Sequence, residues 1–273
     1  ILDNCTLLII PILNPDGAER YTRVNANAVD LNRDAQHLSQ PESKLLKSVY
    51  ANFNPDFFFN LHDQRTIFNV GETNKPATVS FLAPAFDANR NNSASSLQSM
   101  QIISKMNAKL QELIPGHVGR YDDGFNSNCV GDAFQMLKTP TILFEAGHFP
   151  CDYMREVTRK YIVVAILEAI RTIMQGDYKS LLMENYLQIP DNNNLFYDVL
   201  VLNWHELDTN LELGTKVGIL FKEKLVDTKI DFEPNIELKL AKSEIAFGHE
   251  TKDASILADR LWLESKDISR LFK

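Results

Sequence analysis

The sequence has few cysteines and no long hydrophobic run. Its three cysteines, Cys5, Cys129 and Cys151, lie far apart, and none belongs to a Cys-x-x-Cys pair. This number and spacing predict neither a disulfide framework nor a zinc–thiolate site, and they favour a cytoplasmic location. No stretch of about 18 consecutive apolar residues occurs, so the sequence predicts no membrane-spanning helix and no membrane partner.

The sequence also lacks an excess of positive charge. Its 273 residues carry 28 Lys and Arg against 36 Asp and Glu, which gives a formal net charge of −8. A nucleic-acid interface needs clustered Lys and Arg, so this balance argues against a nucleic-acid partner. Only 11 Gly and 11 Pro are present, and 44% of the residues are hydrophobic. These values exclude a collagen-like or low-complexity chain and predict a folded globular protein.

An initiator methionine and a signal-peptide pattern are absent from the first residues, which are Ile1-Leu2-Asp3. We therefore expect the sequence to be the inside of a longer protein whose first part is missing here.

Hydrophobic patterns predict strands that alternate with helices up to about residue 175. The predicted strands are Cys5–Leu13, Asp56–His62, Thr78–Ala83 and Thr141–Phe144, and the predicted helices are Pro41–Phe53, Ala94–Ile114, Asp132–Leu137 and Tyr153–Met174. Such alternation is typical of a three-layer α/β domain with a mixed, largely parallel central sheet and helices on both faces.

The pattern changes after residue 180. Leu195–Trp204, Lys216–Phe221 and Lys229–Leu240 have the composition of short strands separated by turns. We therefore predict a domain over residues 1–180 and a small β-rich appendage over residues 181–273, a size within the normal range for a minor domain.

Polar residues follow the predicted strands of the first domain. Asn14-Pro15-Asp16-Gly17 follows the first strand as a predicted turn, Val29-Asp30-Leu31-Asn32-Arg33 lies in the next loop, His62 ends the second strand, and Glu145 ends a later one. Each has an ordinary structural explanation when taken alone, such as a β-turn or a surface ion pair. In open α/β sheets, however, ligands bind at the carboxyl ends of the strands, so together these residues predict a functional site.

The order and spacing of these motifs resemble the zinc carboxypeptidase family of metallopeptidases (the carboxypeptidase A type). The resemblance covers about Ile1–Met174, and its most specific part is the pair Asn-Pro-Asp-Gly and Asp-Leu-Asn-Arg. The last 90 or so residues contribute nothing to it.

The resemblance implies a role for each matching residue. His62 matches the third zinc ligand, and Glu145 matches the carboxylate that activates the zinc-bound water. Asn32 and Arg33 match the pair that holds the terminal carboxylate of the substrate.

Two further roles have less regular spacing. Arg23 is the best match for the arginine that polarises the scissile carbonyl, with Arg20 as a rival. Tyr121 is the best match for the mobile tyrosine that covers the substrate, although it lies farther before Asp132 than the family pattern has it.

The family's first two zinc ligands, a His-x-x-Glu motif upstream of the Asn-Pro-Asp-Gly turn, are missing. None of the six histidines has Glu three residues later, and the nearest match, His205-Glu206-Leu207-Asp208, lies in the appendage. Either the first part of an enzyme has been removed, which the start at Ile1 favours, or the parent is a metal-free pseudoenzyme. In both cases His62 is a single ligand, so this chain alone is expected to bind zinc poorly and to be inactive.

The sequence thus predicts a metallopeptidase of the carboxypeptidase type with one zinc ion in the full-length protein. Its expected partner is a peptide or small amide with a free carboxylate. Two alternatives remain open: a cell-wall peptide amidase or amino-acid deacylase of the same family, and a metal-free peptide-binding module. The oligomeric state and the role of the appendage are not predicted.

Overall fold

The computed structural model describes residues 2–64, 67–266 and 268, which fall into two compact units. The first unit comprises Ile1–Arg65 and Ala77–Asn192, and the second comprises Thr66–Pro76 and Asn193–Lys273. The predicted division at residue 180 therefore differs from the observed one. Tyr186 and Ile189 are buried in the core of the first unit, which extends that unit to Asn192.

The helices and strands are as follows in chain order. The helices are α1 (Pro15–Arg20), α2 (Pro41–Phe53), α3 (Ala94–Gln111), α4 (Val130–Met136), α5 (Glu156–Gln175), α6 (Met183–Leu187) and α7 (Leu257–Ser265). The strands are β1 (Phe58–Asp63), β2 (Asn69–Val70), β3 (Val79–Leu82), β4 (Val118–Arg120), β5 (Thr141–Ala146), β6 (Asn192–Asn193), β7 (Phe196–Leu202), β8 (Lys216–Val226), β9 (Lys229–Leu240) and β10 (Phe247–Asp253). Short 3-10 helices cover Leu31–Arg33, Asp177–Ser180 and Trp204–Glu206.

A mixed sheet with the strand order β1-β5-β3-β4 forms the centre of the first unit. The β1–β5 and β3–β4 pairs are parallel, and the β5–β3 pair is antiparallel. This confirms the predicted α/β class with a largely parallel central sheet.

Helices cover both faces of this sheet. Phe59, on one face, packs with Phe144 in the main core, which also contains Ile103 of α3 and Ala165 of α5. The adjacent Phe58 points to the other face, because successive strand residues alternate. There its ring meets Phe134 of α4 edge-on, and Phe134 in turn stacks on Tyr50 of α2. The predicted three-layer arrangement is therefore present.

The second unit is built on a sheet with the order β10-β7-β8-β9. β10 and β7 are parallel, whereas β8 pairs antiparallel with both β7 and β9. Val199, Val201, Trp204, Ile219 and Leu263 are buried on one side of it. The predicted β-rich character is confirmed, while β10 and α7 were not foreseen. The short strands β2 and β6 pair with each other.

The prediction of a buried strand at Cys5–Leu13 is wrong. The segment is not in a strand, and Leu7, Ile9 and Ile12 are 43%, 75% and 60% exposed. A continuous apolar run indicates that a segment favours burial, but a strand also needs a partner, and within the described ranges β1, at the edge of the sheet, pairs only with β5.

The predicted turn at Asn14–Gly17 is the first turn of α1. Pro15 occupies the first helical position, and the Asn14 Oδ1 accepts a hydrogen bond from the Gly17 backbone N–H at 3.0 Å. Asn at the N-cap followed by Pro favours a helix start as well as a β-turn, which explains the difference.

Candidate functional site

His62 and Glu145 lie side by side at the carboxyl ends of two neighbouring strands. His62 of β1 and Glu145 of β5 are direct partners in the parallel register. Partners in a ladder point to the same face of a sheet, so the imidazole and the carboxylate project together toward the face that carries α4. The structure thus brings together two residues that are 83 positions apart in the sequence.

The His62 ring suits a neutral ligand. Burial lowers its pKa to about 4, the positive charges of Arg23 and Arg33 act in the same direction, and Asp30 opposes them. Its buried Nε2 has no hydrogen-bond partner among the residues that the structure describes. A neutral imidazole nitrogen that lacks a hydrogen bond is a suitable metal ligand.

The Glu145 carboxyl group suits proton transfer near neutral pH. The residue is 7% exposed, and burial raises its pKa to about 7, with the negative charge of Asp63 adding to the effect and Arg23 opposing it. A general base functions best when its pKa lies near the working pH.

The loop that carries Arg23 is fixed by Asp30. The Asp30 carboxylate accepts a hydrogen bond from Arg23 Nε at 2.7 Å and another from the Asn32 backbone N–H at 2.9 Å. The second bond caps the 3-10 helix Leu31–Arg33. Asp30 therefore fixes the position of Arg23 relative to the 3-10 helix Leu31–Arg33. The rival Arg20 is exposed in the last turn of α1, whereas the charge of Arg23 acts on both His62 and Glu145.

Asn32 and Arg33 attach the loop to the start of α4. Asn32 Oδ1 accepts a hydrogen bond from the Val130 backbone N–H at 2.9 Å. Arg33 Nη1 donates to the Asn32 carbonyl oxygen at 2.7 Å and to Cys129 Sγ at 3.0 Å. The guanidinium thus lies beside the start of α4.

Tyr121 follows β4 and reaches the same cluster of charges. Its backbone N–H donates to the Phe81 carbonyl oxygen at 2.9 Å. Burial raises the pKa of its phenol, and the negative charges of Glu145 and Asp122 add to this, while Arg23 and Arg33 oppose it. The predicted substrate-covering tyrosine is therefore within electrostatic reach of Glu145 and both arginines.

Sequence reasoning missed Arg155, which binds the ends of β1 and β5. It lies in the loop before α5, ten positions after Glu145, and no motif marks it. An arginine in a loop gives no signal in the sequence, because its acceptors are backbone carbonyl groups that only the fold places around it.

Among the described residues of this site, His62 is a suitable zinc ligand. No group of three or more His, Cys, Asp or Glu side chains that could hold a metal ion exists among residues 2–64, 67–266 and 268. His62 has the right chemistry through its unbonded Nε2, but a catalytic zinc site needs three protein ligands. The other candidate, His205, lies within the 3-10 helix Trp204–Glu206 in the second unit, where its Nδ1 accepts a hydrogen bond from the Gly214 N–H at 3.2 Å.

Two other observations bear on the predictions about cysteines and membranes. Cys5, Cys129 and Cys151 form no disulfide. Over the part of the chain that the structure describes, every helix is too short or too polar to cross a membrane.

Curated proteins similar to this chain are fungal carboxypeptidases. "Probable carboxypeptidase 2" of Trichophyton verrucosum (strain HKI 0517) is 30% identical over 76 residues, which cover 28% of this chain and 14% of the relative. "Carboxypeptidase 2" of Trichophyton rubrum is 30% identical over 63 residues, or 23% of this chain and 12% of the relative. The matched part is thus a small fraction of these relatives' own length. No protein-family model matches the chain.

A crystal structure from Shewanella denitrificans OS-217, provisionally named carboxypeptidase A, covers 62% of this chain and 46% of its own, with 19% identity and a TM-score of 0.45. A TM-score below 0.5 gives no support for a shared function. Over these short stretches the chain is similar to the fungal carboxypeptidases, in agreement with the family resemblance of the Asn-Pro-Asp-Gly and Asp-Leu-Asn-Arg motifs.

Proposed function

We propose that the protein is a zinc-dependent carboxypeptidase that hydrolyses the C-terminal bond of a peptide. The observation that carries the proposal is the convergence of charges at one end of the sheet. Arg23 and Arg33 both act on His62, and Arg23 also acts on its register partner Glu145. A cation pair beside a carboxylate base is the arrangement that binding and cleavage of an anionic peptide end require.

Recognition of the terminal carboxylate is the proposed role of Arg33 and Asn32. A guanidinium can bind a carboxylate through two parallel charge-assisted hydrogen bonds, which a lysine cannot reproduce. The hydrogen bond from Val130 N–H to Asn32 Oδ1 fixes the amide so that its Nδ2 donor has one orientation.

Proton transfer is the proposed role of Glu145. With a pKa of about 7, its carboxylate can accept a proton from the attacking water and then deliver it to the leaving amine. Arg23 would donate hydrogen bonds to the carbonyl oxygen as negative charge develops on it, and one such donor contributes about 3–4 kcal/mol. Tyr121 would cover the bound peptide end and limit access of bulk water.

His62 would be one zinc ligand through Nε2. When bound, a zinc ion supplies a water of lowered pKa and polarises a carbonyl group. A catalytic zinc site needs three protein ligands. Among the described residues, His62 has no second and third ligand beside it, so two further ligands are needed. The activity proposed here is therefore that of the protein that contains this chain together with those ligands.

The test is the substitution Arg33→Ala, assayed with a peptide that has a free C-terminal carboxylate and with the same peptide amidated. A charge-assisted hydrogen bond contributes about 1.5–3 kcal/mol, so kcat/KM for the free peptide should fall roughly 10- to 100-fold and approach the value for the amidated one. Arg159→Ala, at an exposed ion pair with Glu156 in α5, is the matched control and should leave kcat/KM unchanged.

Each other result points to a different function. Equal cleavage of free and amidated peptides by the wild-type protein would support the amidase or deacylase alternative. Peptide binding that depends on Arg33, without any hydrolysis, would support the peptide-binding module. Unchanged kcat/KM in Arg33→Ala would remove the basis for assigning a carboxypeptidase.

A further inference from the structure

Arg155 makes polar contacts with both strands that carry the site. Its Nη2 donates a hydrogen bond to the Ala146 carbonyl oxygen at 2.8 Å and to the Gln64 carbonyl oxygen at 3.2 Å, and it forms an ion pair with Asp63. Its Nη1 lies 3.2 Å from His148 Nε2. The Arg155 side chain is only 18% exposed, whereas that of Asp63 is 55% exposed.

The contacted groups are the immediate neighbours of the two central site residues. Asp63 follows His62 at the end of β1, and Ala146 follows Glu145 at the end of β5. The two ends are joined directly by one further bond, from the Gln64 N–H to the Ala146 carbonyl oxygen at 2.9 Å. The guanidinium therefore bridges the last rung of the ladder that sets His62 beside Glu145.

The position of β1 explains why such a bridge matters. β1 lies at the edge of the sheet and, within the described ranges, pairs with β5 alone. The ends of elements with few partners open locally at low free energy. An opening of the last rung would move His62 relative to Glu145 without unfolding the unit.

We infer that Arg155 is a positioning residue, whose guanidinium locks the carboxyl ends of β1 and β5 together and so holds His62 beside Glu145. The consequence for catalysis rests on the proposed carboxypeptidase function, whereas the consequence for the geometry of His62 does not.

The chemistry of the contacts favours arginine. Two backbone carbonyl groups and one carboxylate converge on Nη2, while Nη1 lies beside His148 Nε2, so the planar guanidinium serves these groups through two nitrogens at once. A lysine ammonium keeps the charge but is a compact group on a flexible stem, so it can satisfy the acceptors only in part. Glutamine removes the charge and most of the donors.

The experiment compares Arg155→Gln and Arg155→Lys with Arg159→Gln, a matched control at an exposed ion pair with Glu156 in the first turn of α5. The first measurement is the NMR spectrum of isotope-labelled histidine rings, with the His62 signal assigned by its loss in His62→Gln. The second is kcat and KM for a free-carboxylate peptide, and the third is the thermal unfolding midpoint.

We expect the His62 ring signal to shift or broaden in Arg155→Gln, and to a smaller extent in Arg155→Lys, while the ring signals of His205 and His249 stay unchanged. Because a displacement of about 1 Å in a catalytic group can lower the rate about 100-fold, kcat should fall at least about tenfold, with KM changed less than about twofold. Arg159→Gln should match the wild-type protein in every measurement.

Two results would overturn the inference. One is a wild-type His62 signal in Arg155→Gln. The other is an equal change in all histidine signals together with a lowered unfolding midpoint, which indicates general destabilisation. If Arg155→Gln does not fold, the His62 signal of Arg155→Lys decides in the same way. If the wild-type protein hydrolyses no peptide, the proposed function fails, but the His62 signal still decides the role of Arg155.

Discussion

Each of the two units contains a partly buried histidine, and the two differ in their surroundings. Burial lowers the pKa of both His62 in the first unit and His249 in the second to about 4. His62 has Arg23 and Arg33 close enough to lower its pKa further, and its register partner is Glu145. His249 packs edge-on against the Phe196 ring, and the charge that acts on it is that of its neighbour Glu250.

This difference teaches that burial of a titratable group does not by itself indicate function. A shifted pKa becomes informative when a specific set of charges produces it in a place where a ligand can bind. Around His62 two cations and a carboxylate with a pKa of about 7 meet at the end of a sheet. Around His249 the structure places the Phe196 ring and the exposed carboxylate of Glu250.

The largest expected effect is on kcat, and it distinguishes the carboxylate beside His62 from the carboxylate beside His249. Glu145→Gln should lower kcat for a free-carboxylate peptide roughly 100- to 10,000-fold, because a positioned general base contributes about that much. Glu250→Gln, the same change beside His249, should leave kcat unchanged. Steady-state kinetics of both variants test this. Equal kcat values in the two variants would mean that the site has been assigned to the wrong unit.

A smaller effect is expected on zinc affinity. In the protein that contains the other ligands, His62→Asn should weaken zinc binding more than about 100-fold, since even partners of ligands contribute about 10- to 100-fold. His249→Asn should bind zinc like the wild-type protein. Equilibrium dialysis with metal analysis measures both constants, and a loss of zinc in His249→Asn alone would reverse the comparison.

The smallest effect is expected on stability. The pKa of Glu145 is raised from 4.5 to about 7, so its ionised form is disfavoured in the folded protein. The folded state therefore loses stability as pH rises from about 4.5 to about 7, and the loss stays constant above that. Glu145→Gln should be more stable than the metal-free wild-type protein at pH 8, by on the order of 2 kcal/mol, with little difference at pH 4.

Urea unfolding at pH 8 and pH 4 measures this difference. Glu250→Gln is the control, because exposed substitutions usually change stability by less than about 0.5 kcal/mol. An equal stability change in Glu145→Gln at both pH values would show that the titration of this carboxyl group does not contribute.

Much of the fold could be predicted from local patterns. Helix α2 has the predicted limits, Pro41–Phe53, because its apolar residues recur at helical spacing and Pro41 suits the first turn. Strand β4 was missed because it has only three residues, Val118–Arg120, which carry no periodic signal. The run Cys5–Leu13 was misassigned because hydrophobicity reports a preference for burial and says nothing about a partner strand.

The residues of the candidate site also fall into those that the sequence predicts and one that it does not. His62, Glu145, Asn32 and Arg33 could be proposed because the order and spacing of their motifs resemble a known family. Arg155 could not be found, because its acceptors are two backbone carbonyl groups and one carboxylate, brought together only when β1 and β5 pair.

The sequence by itself determined which residue types are available for chemistry: the guanidinium groups, the imidazole, the carboxylate and the loops that carry them. Local patterns also predicted helices such as α2, because helical hydrogen bonds and caps are local. Only the tertiary structure decided the register that sets His62 beside Glu145, the field of Arg23 and Arg33 around them, and the place of Arg155. The physical reason is that strand pairing, burial and charge–charge interactions join residues that are distant in the chain, and their strength depends on distances that no local pattern fixes.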